Sequence, residues 1–340
     1  MRTGTQRDLL LAGAAVVVLL ILPMLFPQPA LRDFLIYVIA YGLLAMSLNL
    51  LVGFTGLVSF GHAAYFASGA YTFGLLMQSG RVSVPVAMLA AVGGTAVLAL
   101  AIGAICVRLK EIYFAFITLA FQMFIHSIIL TWVGLTGGDQ GLRGGIPRPP
   151  FLGPGFMIDL NDARTLYAFC AVVFVVCMLI MRQIVQSPFG YTLRMVRDNP
   201  TRANFVGVNV LRVKLAIFVV AGAMASVGGV VLALFVSGAY PEFAFWSTSG
   251  EAIFMLMLGG TQLFIGPLVG TVILQALNHY VTILTEHHGM VLGTIILIFV
   301  LGLRRGLADW IYEWIKSRRT WRAAEQRDAK RGEAKRDKLA

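Results

Sequence analysis

Thr118, Gln122 and His126 recur every four residues along one apolar run of the chain. Thr271, Gln275 and Asn278 do much the same along another, with His279 and Thr282 beyond them. Residues three or four apart share a helix face, so each set forms a polar stripe in apolar surroundings. Inside a bilayer such groups have to meet protein or water. They either hydrogen-bond between helices or line a narrow path for a small polar solute, and both readings stay open at this point. Ser47 and Asn49 add two polar groups to a third run. Glu251 is the one acidic residue at the edge of an apolar run, whereas a proton relay through a membrane ordinarily uses several buried Asp, Glu or Lys residues.

Reaction chemistry has less to work with. The chain contains no GxxxxGK[ST] phosphate loop, no HExxH, no GxSxG and no close pair of acidic residues within an apolar run. His62 stands alone in GFTGLVSFGHAAYFASGAY, residues 53–71. Cys106, Cys170 and Cys177 all fall in apolar runs, without CxxC or Cys/His spacing, so no metal, cofactor or disulfide framework is expected. The chain is read as a non-enzyme, and energy for uphill movement of a solute would have to come from elsewhere.

The elements that position these residues are membrane helices. Of 340 residues 58% are hydrophobic and 13% charged, with a mean hydropathy of +0.81, too apolar for a soluble domain of this length. The expectation is an all-α, polytopic integral membrane protein of about ten spans, at 9–26, 34–52, 57–78, 84–107, 112–134, 165–185, 214–236, 249–263, 267–285 and 289–303. The first follows Arg2 and Arg7 and ends in prolines with no small-x-small cleavage site, so it reads as a retained span. The eighth is short, and its GGTQLFIGP exit could be a re-entrant turn.

Charge sets the orientation. With both termini cytosolic, 22 of the 27 Lys and Arg fall on the inside, as the positive-inside rule expects. The net charge of +11 then reflects topology and the anionic inner leaflet, not nucleic-acid binding. Residues 135–164 form a Gly/Pro-rich outer loop and 184–213 an inner loop. The transmembrane domain covers 1–303. The tail 304–340 is basic and cytosolic, amphipathic through Trp310, Ile311, Trp314, Ile315 and Trp321, then disordered.

Small residues cluster at helical spacing. Ser59, Ala63, Ala67 and Ala70 form one stripe; Gly222, Ser226, Gly229 and Ala233 form another; Gly266–Gly270 and Gly289–Gly293 are GxxxG pairs. Such faces let helices approach closely in lipid. A helix is expected from Ser59 onward, with His62 near its inner end tying helices together. In the inner loop, Ser187-Pro188 reads as a helix start, 198–201 (DNPT) as a break, and Gly207 as the cap of a second short helix. Two short helices edged with arginine make a docking element.

These two features together resemble the permease subunits of branched-chain amino-acid ABC importers (LivM/LivH type). The stretch GLVSFGHAAYFASGAY carries the motif residues Gly56, Ser59, Gly61, His62, Ala63 and Ala67. It is followed by GYTLRMVRDNPTRANFVGVNVLRVKLAIFVVAGAMASVGGVVLAL. The resemblance runs from about Tyr37 to Gly306, and the order of spans favours the M type. TRANFVG, 201–207, is similar to the EAAxxxG pattern of ABC permeases at Ala203 and Gly207; Thr201 and Arg202 depart from it.

The resemblance implies a fold like that of the cobalamin-type importer permeases, in a bacterial cytoplasmic membrane. It implies a paralogous H-type permease partner, two cytoplasmic ATP-binding subunits and an extracytoplasmic substrate-binding protein. The inner loop would couple to the ATPases through Arg194, Arg197, Asp198, Ala203 and Gly207. Thr118, Gln122, His126 and Gln275 are the candidate pathway residues. The implied substrates are branched-chain or other hydrophobic amino acids, with urea, short amides or aromatic acids served by related permeases. A secondary carrier dependent on Glu251 is the competing class, and a lipid-modifying membrane enzyme a third.

Overall fold

A computed structural model describes residues 28–142, 144–152, 157–284, 287–302, 306, 307 and 309. The run 9–26 and nearly all of the tail lie outside the described residues. The long helices are α1 (Pro29–Thr55), α2 (His62–Gln78), α3 (Val84–Cys106), α4 (Glu111–Thr131), then after the one-turn α5 (Val133–Thr136), α6 (Ala163–Gln186). Two short helices follow, α7 (Pro188–Asp198) and α8 (Pro200–Phe205), then α9 (Val210–Val236), α10 (Trp246–Gly259), α11 (Gly266–Leu284) and α12 (His288–Gly302). Nine of these match nine of the ten expected runs. Among the described residues, six helices are long and apolar enough to cross a membrane.

The protein is an all-α, multi-pass membrane protein. One small departure is an antiparallel pair, β1 (Phe151–Leu152) with β2 (Met157–Ile158), in the 135–164 segment.

α1 and α9 form the centre. Each has 27 residues, about 40 Å at 1.5 Å per residue, and most of each span is buried. α3, α4, α6 and α11 bury much smaller shares and lie around them, leaving apolar faces such as Leu89, Val97 and Phe116 exposed, as lipid requires. The small residues set the spacing. A Cβ on Gly69 of α2 would run into the backbone of Ser226 on α9, and one on Gly270 of α11 into the backbone of Met255 on α10. The expected close packing therefore holds for these stripes. It does not extend to Gly289–Gly293, where a Cβ at either position would meet nothing within 4 Å.

α2 and α10 are shorter, at 17 and 14 residues, and both begin beside the middle of α4. α1 ends at Gly56, whose φ of 77° is open mainly to glycine, and Leu57 N–H bonds back to Leu51 O at 2.9 Å. Residues 56–61 then run back non-helically beside α1. The helix starts at His62, not at Ser59, and His62 meets Ser47, eight residues or about 12 Å from the end of α1. His62 is thus the first residue of α2, at the end of that helix where the sequence reading put it, and it lies deep in the protein. α10 is preceded by a 3-10 turn, Pro241–Ala244, and its Ser249 meets the start of α2.

The 135–164 segment is strapped to the chain after α9. Leu142 N–H donates to Ala239 O and Ile146 N–H to Ser237 O, both at 2.9 Å, and Arg148 donates to Phe235 O and Ser237 Oγ. Asp162 caps α6; the N–H and hydroxyl of Thr165 donate to its carboxylate and hold it below the usual carboxylate range.

Candidate functional site

The inner-loop element folds as its punctuation requires. Ser187 and Asn199 cap α7 and α8, accepting from Gly190 N–H at 3.4 Å and Arg202 N–H at 2.9 Å, and each helix has proline in its first turn. Gly207, at φ 86°, ends α8, and Val208 N–H reaches back to Ala203 O at 3.0 Å.

What this element presents differs from what the charges suggest. Arg197 turns inward: its guanidinium donates to Gly53 O at 2.6 Å, against the C-terminal end of α1, and also pairs with Asp198 at 3.1 Å. A cation at a helix C-terminus complements the dipole there. Arg194 stacks on Phe54 of α1 and on Tyr191, 5.6 and 5.4 Å from the ring centres. Ala203 is buried with Val196 and Val210, and Leu193 is buried in the main core. The outward surface is apolar instead. Phe205 is 86% and Val206 67% exposed, with Tyr191 and Met195 beside Asp198 on the open face. Sequence reasoning passed over Phe205 and Val206. The available signal was two bulky apolar residues before a capping glycine in a charged loop.

A second assembly is a buried polar seam where α2 and α10 begin. Ala63 N–H donates to Ser249 Oγ at 2.9 Å, the Ser249 hydroxyl donates to Gln122 Oε1 at 2.8 Å, and Gln122 Nε2–H donates to Ala244 O at 3.2 Å. One turn along α4, His126 Nδ1–H donates to Pro241 O at 3.1 Å. Ser47 donates its one hydroxyl proton to Leu44 O at 2.8 Å, so in the 2.9 Å contact with His62 it accepts from Nε2–H. That fixes the tautomer of His62 and leaves its buried Nδ1 without a protein partner. Ser59 Oγ accepts from Gly61 N–H at 3.3 Å, and Gly61 lies against the Thr118 backbone, while the Thr118 hydroxyl bonds Ala115 O. Ala63 and Ala67 are buried in the same packing.

Thr118, Gln122 and His126 are thus brought together, and protein groups satisfy all three. Gln275 is not with them. It lies in a separate pocket of about 480 Å³ between α1 and α11. Ser249, which joins α2 to α4, was not singled out in the sequence, because a serine in an apolar run gives no sign of its partner. Among the described residues no cluster of three or more His, Cys, Asp or Glu could hold a metal ion, and the three cysteines are free and buried.

Comparison with known proteins agrees with this architecture. The high-affinity branched-chain amino acid transport system permease protein LivM of Escherichia coli (strain K12) is 24% identical over 318 residues, covering 86% of this chain and 73% of the relative. LivM of Salmonella typhimurium is 23% identical over 286 residues, 78% of this chain and 67% of the relative. The ribose import permease protein RbsC of Bacillus subtilis (strain 168) is 32% identical over a shorter stretch of 125 residues, 34% of this chain and 38% of the relative. No solved structure matches. The model of the branched-chain amino acid transport system permease component matches residues 30–301, spanning the central helices and the α7–α8 element alike, and the chain belongs to that family.

Proposed function

We propose that this chain is the membrane-spanning subunit of an ATP-driven importer of branched-chain or other hydrophobic amino acids, working by alternating access. It does not hydrolyse ATP; two cytoplasmic ATP-binding subunits do. A paralogous H-type permease completes the membrane part and an extracytoplasmic binding protein delivers the substrate. The protein sits in the bacterial inner membrane with both termini cytosolic.

One observation carries the reading: α7–α8 exposes Phe205 and Val206 while Arg197 and Arg194 tie the same element to the end of α1. An apolar tip is what a partner's cleft can bury, and a rigid attachment to the central helix is what can transmit the partner's motion. The docking segment is 187–213, with Asp198 and Gly207 in its frame. The bonds of buried Thr118 and Gln122 and of half-buried His126 support a role in joining α4 to the α2–α10 junction, and leave Gln275 as the candidate that faces open space.

The test is reconstitution with the partner subunits in vesicles. Leucine uptake that requires ATP on the cytosolic side and the binding protein outside supports the proposal. Uptake by this chain alone, driven by an ion gradient and lost in Glu251→Gln, would make it a secondary carrier instead.

A further inference from the structure

The pocket at the far end of α1 from Arg197 has a composition that apolar packing does not explain. Ala30, Asp33, Phe34 and Tyr37 of α1 face Gln275, Asn278, His279 and Thr282 of α11. Each set has i, i+3, i+4, i+7 spacing, one stripe per helix, on two helices packed against each other. Gln275 stands nine residues into the 19-residue α11, roughly 14 Å from its start and close to the middle of a helix long and apolar enough to span a membrane.

Gln122, at comparable depth, is fully buried and bonded at both ends of its amide. Gln275 and Asn278 are only half-buried, Asp33 and His279 are exposed, and no hydrogen bond among the described residues reaches either amide. Polar groups at this depth do not face lipid. The groove therefore requires a hydrated or polar occupant.

The lining also carries both signs of recognition. Asp33 offers a carboxylate to an ammonium group. The amides of Gln275 and Asn278 and the imidazole of His279 offer donors to a carboxylate. Phe34 and Ala30 supply apolar wall.

We infer that the α1–α11 groove is a subsite for the zwitterionic head of an α-amino acid on its way through the protein, with Asp33 taking the ammonium and Gln275, Asn278 and His279 the carboxylate. This rests on the transport reading above and names where in the chain the substrate's charged groups are held.

The experiment uses the complete importer in proteoliposomes carrying Gln275→Cys or Asn278→Cys, with Val272→Cys, exposed on the same helix but outside the groove, as the reference. The native cysteines are buried and do not compete for label. A charged, membrane-impermeant thiol reagent should modify the groove cysteines and not Val272→Cys, and saturating leucine should slow modification several-fold. Leucinol, which lacks the carboxylate, and 4-methylpentanoate, which lacks the amine, should not protect. Adding Asp33→Asn should raise the leucine concentration needed for protection. Groove cysteines as inert as Val272→Cys would overturn the inference. So would labelling that leucine leaves unchanged, or protection equally good with either analogue. Failure of the transport reading is separate: it appears as absence of ATP-dependent leucine uptake by the unmodified importer.

Discussion

Arg197 of α7 donates a 2.6 Å hydrogen bond to the backbone carbonyl of Gly53, three residues before Gly56 ends α1. Gly53 is also pressed against the carbonyl of Thr261 in the α10–α11 turn, where an added Cβ would have no room. The end of the central helix is therefore held from two sides, by α7 and by the turn between two other helices. α7 is thus bonded directly to α1.

Replacing Arg197 by Glu removes that bond and puts a negative charge at a helix C-terminus, where cations are favoured by about 0.3–1 kcal/mol. The expected outcome is an assembled complex whose basal ATP hydrolysis persists while stimulation by substrate and binding protein is lost. Stimulation at the normal level in Arg197→Glu would remove Arg197 from the coupling path.

Phe205 and Val206 are exposed, so Phe205→Asp and Val206→Asp should leave the permease folded; surface changes of this kind usually stay within about 0.5 kcal/mol. Co-purification with the ATP-binding subunits should fall sharply in both. If the ATPases still co-purify at full yield, the apolar tip is not the docking surface.

Close packing makes a paired prediction. Gly69→Leu inserts bulk where α2 lies against α9 and Ala67→Leu inserts it at a fully buried position of the same helix, and overpacking of this kind typically costs about 1–3 kcal/mol. Thermal stability in detergent should drop for both. Gly293→Leu, at a GxxxG pair with open space beside it, should not change it. Equal losses at all three positions would refute the assignment of the α2–α9 contact as the tight one.

Ser47→Ala leaves the buried Nε2–H of His62 unpaired, at a cost of about 1–3 kcal/mol. His62→Ala in the same chain removes the orphaned donor, so the double variant should be less destabilised than the sum of the two singles. Strict additivity in that cycle would show that the two residues do not interact.

Asp309 is buried beneath the α10–α11 turn, accepting from Gln262 N–H at 3.1 Å and Leu263 N–H at 3.0 Å. Asp309→Ala strips both acceptors and should destabilise by about 1–3 kcal/mol, with faster amide exchange confined to residues around 260–265. Unchanged exchange there would mean the turn holds itself.

Much of the architecture was legible in the chain because the cues are local. Apolar runs of spanning length announce helices, and Ser187-Pro188, Asn199-Pro200 and Gly207 announce caps whose partners lie within a few residues. The two short helices of the inner loop were legible for that reason, down to the break between them. Their polarity was not. Arg194 and Arg197 read as outward charges, yet they face α1, because the Gly53 carbonyl and the Phe54 ring that hold them are some 140 residues away in sequence.

The candidate pathway shows the same division. The repeats of Thr118, Gln122, His126 and Gln275 follow from sequence spacing alone. Spacing places residues on one face of one helix but does not say what that face meets. Only the tertiary structure decided that Ser249 and Ala244 satisfy Gln122 while Gln275 opens onto a groove. The start of α2 at His62 belongs to the same class. Nothing local favours His62 over Ser59; the choice is made by the bond from His62 to Ser47 and the close fit of Gly61 on Thr118, both formed between separate helices. The sequence by itself determined that the chain crosses a membrane many times and carries a capped two-helix loop between α6 and α9. Which polar groups are tied off and which are left open was decided by packing, since hydrogen-bond satisfaction is a property of pairs.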